Sequence, residues 1–285
     1  MRILVTGANG QLGRSIQQRV SEATSDEWIF SDRHSLPLET PDLKARLINI
    51  KPDIIIHCAA YTAVDKAETE KEKAMLINAQ ATKNIALAAS HCNAFLIYVS
   101  TDFVFDGQKS SPYTEDDQPS PINVYGQSKW QGELLVCMHC SRHLILRTSW
   151  VYAEFGHNFV LTMMRLLKEK PELRVVYDQI GSPTYAGDIA DFIIYFCTLP
   201  AEEQVAGTYH FSNEGVAGWY DFALAIRELI SLETPVFPIS STDYPAAAQR
   251  PSYSVLSKSK LKKTFQWTVP YWRDSLKYCI SKMIG

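Results

Sequence analysis

The feature that most constrains this chain stands at its start. An apolar run, Ile3 to Thr6, leads into Gly7-Ala8-Asn9-Gly10-Gln11-Leu12-Gly13 and then into a helical pattern, Gly13 to Ser21. Glycines spaced GxxGxxG between a strand and a helix form a variant of the dinucleotide fingerprint. Gly7 permits the tight turn, Gly10 lets a pyrophosphate approach the backbone, and Gly13 lets the helix pack close on the sheet. The helix then begins with unpaired N–H groups and positive partial charge, which suit phosphate. A plain strand-turn-helix can use the same residues, but the position directly after an apolar first strand favours a dinucleotide.

Further short apolar runs follow at Trp28 to Ser31, Ile54 to Cys58, Phe95 to Ser100 and Leu144 to Thr148, with helical patterns between them such as Ala74 to Ser90. Continuous apolar strands alternating with helices indicate a parallel sheet covered on both faces. The expected fold class is therefore α/β, a Rossmann-type doubly wound parallel sheet. After Arg147 the pattern becomes aromatic-rich and irregular, with Trp150, Tyr152, Phe155 and Phe159 close together. Helical patterns near Leu161 to Lys168, Asp188 to Cys197, Trp219 to Ile230 and Tyr271 to Met283, a strand at Gly207 to Phe211, and Pro-rich loops at Tyr244 to Pro251 complete the chain. This reads as a dinucleotide-binding domain of residues 1–148 plus about 186–214, and a smaller, discontinuous substrate-binding domain of about 149–185 plus 215–285.

Composition narrows the partners. With 28 basic and 31 acidic residues spread along 285, and no basic block, nucleic acid is not expected. The apolar run at the N-terminus is too short for a signal segment, and none approaches the roughly 20 apolar residues of a membrane helix. A cytoplasmic protein with no membrane partner is expected. Cys137 and Cys140 form a single CxxC beside His139 and His143, but no second ligand pair exists at matching spacing, so no metal site is assigned.

Asp32 ends the second run, about 20 residues beyond the glycine turn, where a carboxylate can accept hydrogen bonds from an adenosine ribose. Arg33 beside it could instead hold a 2′-phosphate, so the pair leaves NADH and NADPH both open, and a solvated charge pair is a third use. The small residues after the third run make Ala59, Ala60, Tyr61 and Thr62 candidate cofactor contacts. Asp65-Lys66-Ala67-Glu68 reads as a helix start.

Tyr125-Gly126-Gln127-Ser128-Lys129 opens another predicted helix, and the i, i+4 spacing puts phenol and ammonium on one face. A phenol of pKa about 10 exchanges protons poorly at neutral pH until a nearby cation stabilises its anion. YxxxK is common by chance. It gains meaning from Thr101, a hydroxyl at the carboxyl end of the fourth strand, facing the expected crevice, although such a hydroxyl can also simply cap a turn.

Taken together, these motifs make the chain resemble the dTDP-4-dehydrorhamnose reductases of the extended short-chain dehydrogenase/reductase superfamily. The resemblance is carried in order by GxxGxxG, Ala59 to Glu68, Ser100 to Gly107, Asn123-Val124-Tyr125-Gly126, Arg147 to Tyr152 and Asp178 to Thr184, and reaches Gln249-Arg250-Pro251. It implies NAD(P)H-dependent reduction of the C4 ketone of a dTDP-sugar, with Tyr125 as proton donor, Lys129 tuning it and Thr101 near the reacting oxygen. It further implies cofactor contacts at Gly10, Gln11, Leu12, Asp32, Ala60, Tyr61 and Thr62, and sugar-nucleotide contacts at Thr101, Asp102 and Trp150. Arg250 suits a diphosphate, and suits a surface salt bridge equally well. Some members are metal-bridged dimers through a glutamate after the third glycine. Arg14-Ser15 stand there in this chain, which speaks against a metal-linked dimer, and a monomer or homodimer is expected. Asp102-Phe103 lacks the Asp-Glu acid-base pair of the related dehydratases. A reductase of another keto-sugar nucleotide, or a non-catalytic subunit like the regulatory subunit of methionine adenosyltransferase, would share the fold.

Overall fold

In the computed structural model, residues 1–20 and 26–284 are described, so Ser21, the end of the first expected helical pattern, lies outside them. Strand β1 (Arg2–Thr6) and helix α1 (Gln11–Arg19) flank the glycine turn, and β2 (Glu27–Ser31), α2 (Leu43–Ile50) and β3 (Ile54–His57) follow. Two short helices, α3 (Val64–Ala67) and α4 (Lys71–Met75), lead through a π-helical turn at Leu76–Ala81 into α5 (Thr82–His91). Then come β4 (Phe95–Thr101), α6 (Val124–His139) and β5 (His143–Thr148). The second half contains β6 (Val151–Tyr152), α7 (Phe159–Glu169), β7 (Leu173–Val176), β8 (Ile180–Gly181), β9 (Thr184–Tyr185), α8 (Ala186–Thr198) and β10 (Gly207–His210). It closes with β11 (Ala217–Gly218), α9 (Trp219–Leu229), β12 (Val236–Ile239), α10 (Ser259–Phe265) and α11 (Trp272–Ile284).

Six strands form one sheet in the order β2-β1-β3-β4-β5-β10, every neighbouring pair parallel. The physical reason is visible in the strand residues. Ile3, Val5, Ile54, Ile56, Ile97 and Leu146 pack into one layer with Ile189, Phe192 and Phe196 of α8. Their alternates, Leu4, Ile55, Leu96, Tyr98 and Ile145, pack into the other with Leu43 and Leu47 of α2 and Val136 of α6. Both faces are dry, so the central residues of the runs are apolar, and polar side chains such as His57, Ser100 and Arg147 enter toward the carboxyl ends. Each such side chain contributes about 1.5–3 kcal/mol on burial.

Strand order reverses between β1 and β3, which opens a crevice at the carboxyl ends of the strands. The glycine turn, the Ala59–Thr62 segment and Thr101 all lie at those ends. A second core gathers Tyr152, Val160, Met163, Phe222, Ile226, Trp272 and Leu276 from β6, α7, α9 and α11. Leu261 and Phe265 of α10, with Val269, pack instead into the sheet core, although they lie within the 215–285 stretch expected to serve the second unit. No helix among the described residues is long and apolar enough to cross a membrane.

Candidate active site

Steric fit shapes the glycine turn. Gly7 has φ +71°, and a Cβ there would lie 2.7 Å from the Ala59 nitrogen, so the turn abuts the backbone leaving β3. A Cβ on Gly13 would lie 2.3 Å from the Gly7 carbonyl oxygen, so any larger residue would push α1 off the turn. Gly10 precedes α1 without a side chain to cap it, which leaves the first N–H groups of the helix facing the crevice. These are the features a pyrophosphate needs, and the residues present fit one. Leu12 is buried, and Gln11 reaches away to the Val151 carbonyl and accepts from the Asn158 amide at 2.9 Å, joining α1 to the second half of the chain.

Asp32 accepts hydrogen bonds from the His34 and Ser35 N–H groups, the Ser35 hydroxyl and the Asn9 amide. Those donors hold its carboxylate down at about 2. It is a fixed anion at the end of β2. Arg33 points outward to Glu39 at 3.4 Å. Beyond β3, Ala59 and Ala60 are half-buried, Thr62 is exposed, and Tyr61 is clamped by a residue absent from the sequence reading. Asn78, buried in the π-helical turn, accepts from the Tyr61 N–H at 2.8 Å and donates to its carbonyl at 3.0 Å and to the Ser128 hydroxyl at 2.9 Å. The extra residue of a π turn turns one side chain out of helical register, a device frequent at functional sites.

Thr101 and Tyr125 come together at the end of β4. Asn123 caps α6 by accepting the Gly126 N–H at 2.8 Å, which fixes where Tyr125 emerges. Burial pushes the Tyr125 phenol up to about 12, against the nearby Thr101 hydroxyl, which favours the anion. Lys129, one turn on, is 2% exposed and donates to the Val99 carbonyl at 2.7 Å, with its ammonium 4.1 Å above the Tyr98 ring. Burial lowers it to about 7, while the negative charge of Glu133 resists. Asp102 is 3% exposed, with burial raising its carboxyl to about 6.

One further turn along α6 lies a pair that sequence reasoning missed. Glu133 receives Arg147 of β5 through Nε at 3.0 Å and a terminal nitrogen at 2.7 Å, and receives the Ser100 hydroxyl at 2.5 Å. Both side chains are nearly solvent-free. The available signal was Arg147 itself, a charge inside an apolar strand, which demands a buried partner.

On the other side of the crevice Trp150 takes φ +46°, a conformation rare for a bulky residue, and its ring stacks on Trp219 at 3.5 Å and 6°. Trp219 had no local sequence signal. Arg250 does not stand free: it donates to both oxygens of Asp65, at 3.1 and 2.7 Å, the salt-bridge alternative of the sequence reading. Asp65 and Glu68, expected simply to start a helix, thus tie loops together, Glu68 accepting the Val124 N–H at 2.9 Å.

A phenol and an amine a turn apart, a strand-end hydroxyl beside the phenol, and a dinucleotide turn across the switch point define an oxidoreductase of the short-chain dehydrogenase/reductase kind. The comparisons with known proteins narrow that class. Residues 1–284 match the family described as RmlD substrate binding domain, and the chain belongs to that family. It is 41% identical over 285 residues to the dTDP-4-dehydrorhamnose reductase of Aggregatibacter actinomycetemcomitans, covering 97% of each chain. The crystal structure of the Clostridium acetobutylicum dTDP-4-dehydrorhamnose reductase superposes with a TM-score of 0.95 at 39% identity, with 100% of both chains covered. That of the Bacillus anthracis dTDP-4-dehydrorhamnose reductase, in complex with NADP, gives 0.94 at 39% identity and 99% of both chains.

Proposed function

We propose that this chain reduces the C4 ketone of dTDP-4-dehydro-L-rhamnose to dTDP-L-rhamnose, using NADPH or NADH, in nucleotide-sugar biosynthesis. What carries the reading is the convergence of Thr101, Tyr125 and Lys129 at one crevice in a chain 41% identical, along nearly its whole length, to an enzyme of that name. When bound, the nicotinamide supplies hydride to C4. Gly7, Gly10, Gln11, Leu12 and Gly13 would hold the pyrophosphate, Asp32 and Arg33 the adenosine end, and Ala59 to Thr62 the stretch between.

Tyr125 would give its phenolic proton to the oxygen on C4 as charge develops there, and Thr101 would hydrogen-bond that oxygen. The positive charge of Lys129 would stabilise the phenolate left behind. Asp102 lies against Thr101, where it can orient groups near the sugar, and Trp150 offers an apolar face beside the same crevice. Arg250 could meet a diphosphate only by leaving Asp65. The chain would work as two units in one crevice, residues 1–148 with 186–214 carrying the dinucleotide and 149–185 with 215–285 the sugar nucleotide. The packing of Leu261 and Phe265 on the sheet supports moving α10 to the first unit. It would act in the cytoplasm, as a monomer or homodimer.

The test is isotopic. With cofactor deuterated at the transferable position, product NMR is expected to show deuterium on C4 of the sugar. Product without that label, or no product, would contradict the assignment.

A further inference from the structure

The Thr101 hydroxyl has one proton and two lone pairs, and its neighbours compete for them. It accepts the Phe103 N–H at 3.2 Å and shares a hydrogen bond of 3.1 Å with Asp102 Oδ1. An ionised carboxylate can only accept. With Asp102 ionised, the Thr101 proton is therefore held on Oδ1, and Thr101 has only a lone pair to offer the crevice. It can then accept from Tyr125 but cannot donate to an oxygen gaining negative charge. With Asp102 protonated the bond reverses: the acid donates to Thr101, whose own proton becomes free.

We infer that Asp102 is a positioning residue for the reduction, and that its carboxyl must carry a proton for Thr101 to hydrogen-bond the reacting oxygen. This rests on the reductase reading and adds a condition to it. The second oxygen of the carboxyl supports it, because Asp102 Oδ2 is buried with no hydrogen-bond partner among the described residues. An unsolvated carboxylate oxygen is far costlier than the neutral acid. The facing donors oppose it: the Ser254 and Thr101 hydroxyls and the N–H groups of Asp102 and Phe103 favour the anion, and Tyr125 is the titratable group opposite on α6. Burial outweighs those donors and leaves the carboxyl near 6.

The direction follows: the active form is present below the Asp102 pKa and is lost as pH rises through it. The experiment measures kcat/KM from pH 5 to 9 for the wild-type protein and Asp102→Asn, whose amide can donate to Thr101 at every pH. The wild type is expected to decline above the carboxyl pKa by up to about tenfold per pH unit, until the slower ionised form sets a floor. Asp102→Asn is expected to lack that limb and keep only the one from Lys129. A variant with the wild-type profile, or inactive throughout, would overturn the inference. Infrared difference spectra of the free protein provide a second reading. A protonated-carboxyl band that titrates in the wild type and is missing in Asp102→Asn is expected, and a wild type without it overturns the inference. That measurement needs no substrate, so failed turnover with the band present would count against the reductase reading alone.

Discussion

Two consecutive stretches of α6 treat buried ionisable groups in opposite ways. At its start, Tyr125 and Lys129 are taken from water without a counter-ion in contact among the described residues: the phenol is pushed up to about 12 and the amine down to about 7, burial being the main cause in both. One turn later Glu133 is just as buried but fully satisfied, by Arg147 and by the Ser100 hydroxyl. The first stretch keeps groups able to change protonation state, and the second removes that freedom in exchange for fixed geometry. Strand β4 serves both, since the Val99 carbonyl holds Lys129, the Ser100 side chain holds Glu133 and Thr101 faces Tyr125.

Substitutions should separate the two stretches. Tyr125→Phe is expected to lower kcat by about 10²–10⁴ with little change in melting temperature, since among the described residues that hydroxyl meets only the Thr101 hydroxyl and no backbone group of the fold. Glu133→Gln is expected to do the reverse first, costing about 3–5 kcal/mol of stability in denaturant unfolding by stranding Arg147. Replacing both partners, Glu133→Gln with Arg147→Met, should recover part of that loss. A Tyr125→Phe protein as destabilised as Glu133→Gln would erase the distinction.

Lys129 sharpens the comparison through pH. Its folded pKa of about 7 lies below the ordinary lysine value of 10.5, so between those values the unfolded chain binds more protons than the folded one. The Lys129 contribution to stability should therefore rise with pH across that window and be flat below it. Lys129→Met should lack the rise in melting curves recorded from pH 7 to 10. The smallest effect is expected for Ser100→Ala, about 1–2 kcal/mol, because Arg147 Nε still reaches the same Glu133 oxygen.

How much of this could be read in the chain follows from where each interaction lies. The glycine turn, the apolar strands and YxxxK are local, and local spacing carried them: β1, β3, β4 and β5 occupy the expected runs within a residue or two. The pattern from Ala74 to Ser90 is helical as expected, yet its π turn, and with it the role of Asn78, needs partners on β3 and α6 that no periodicity reveals. Glu133 meets Arg147 only because β4 and β5 pair in the register that sets Ser100 beside Arg147. Trp219 and Trp150 stack across elements far apart in the chain, and α10, a short helix on the sheet core, has too little pattern to announce itself.

The most direct test of the central claim is turnover. Purified protein is mixed with enzymatically generated dTDP-4-dehydro-L-rhamnose, and oxidation of NADPH and of NADH is followed by absorbance beside a folded Tyr125→Phe variant. Oxidation by the wild type that the variant loses is the expected result, and the faster cofactor fixes the use of Asp32 and Arg33. Tight cofactor binding without oxidation, or equal rates in the two proteins, would contradict the assignment of Tyr125 as the proton donor of a dTDP-sugar reductase.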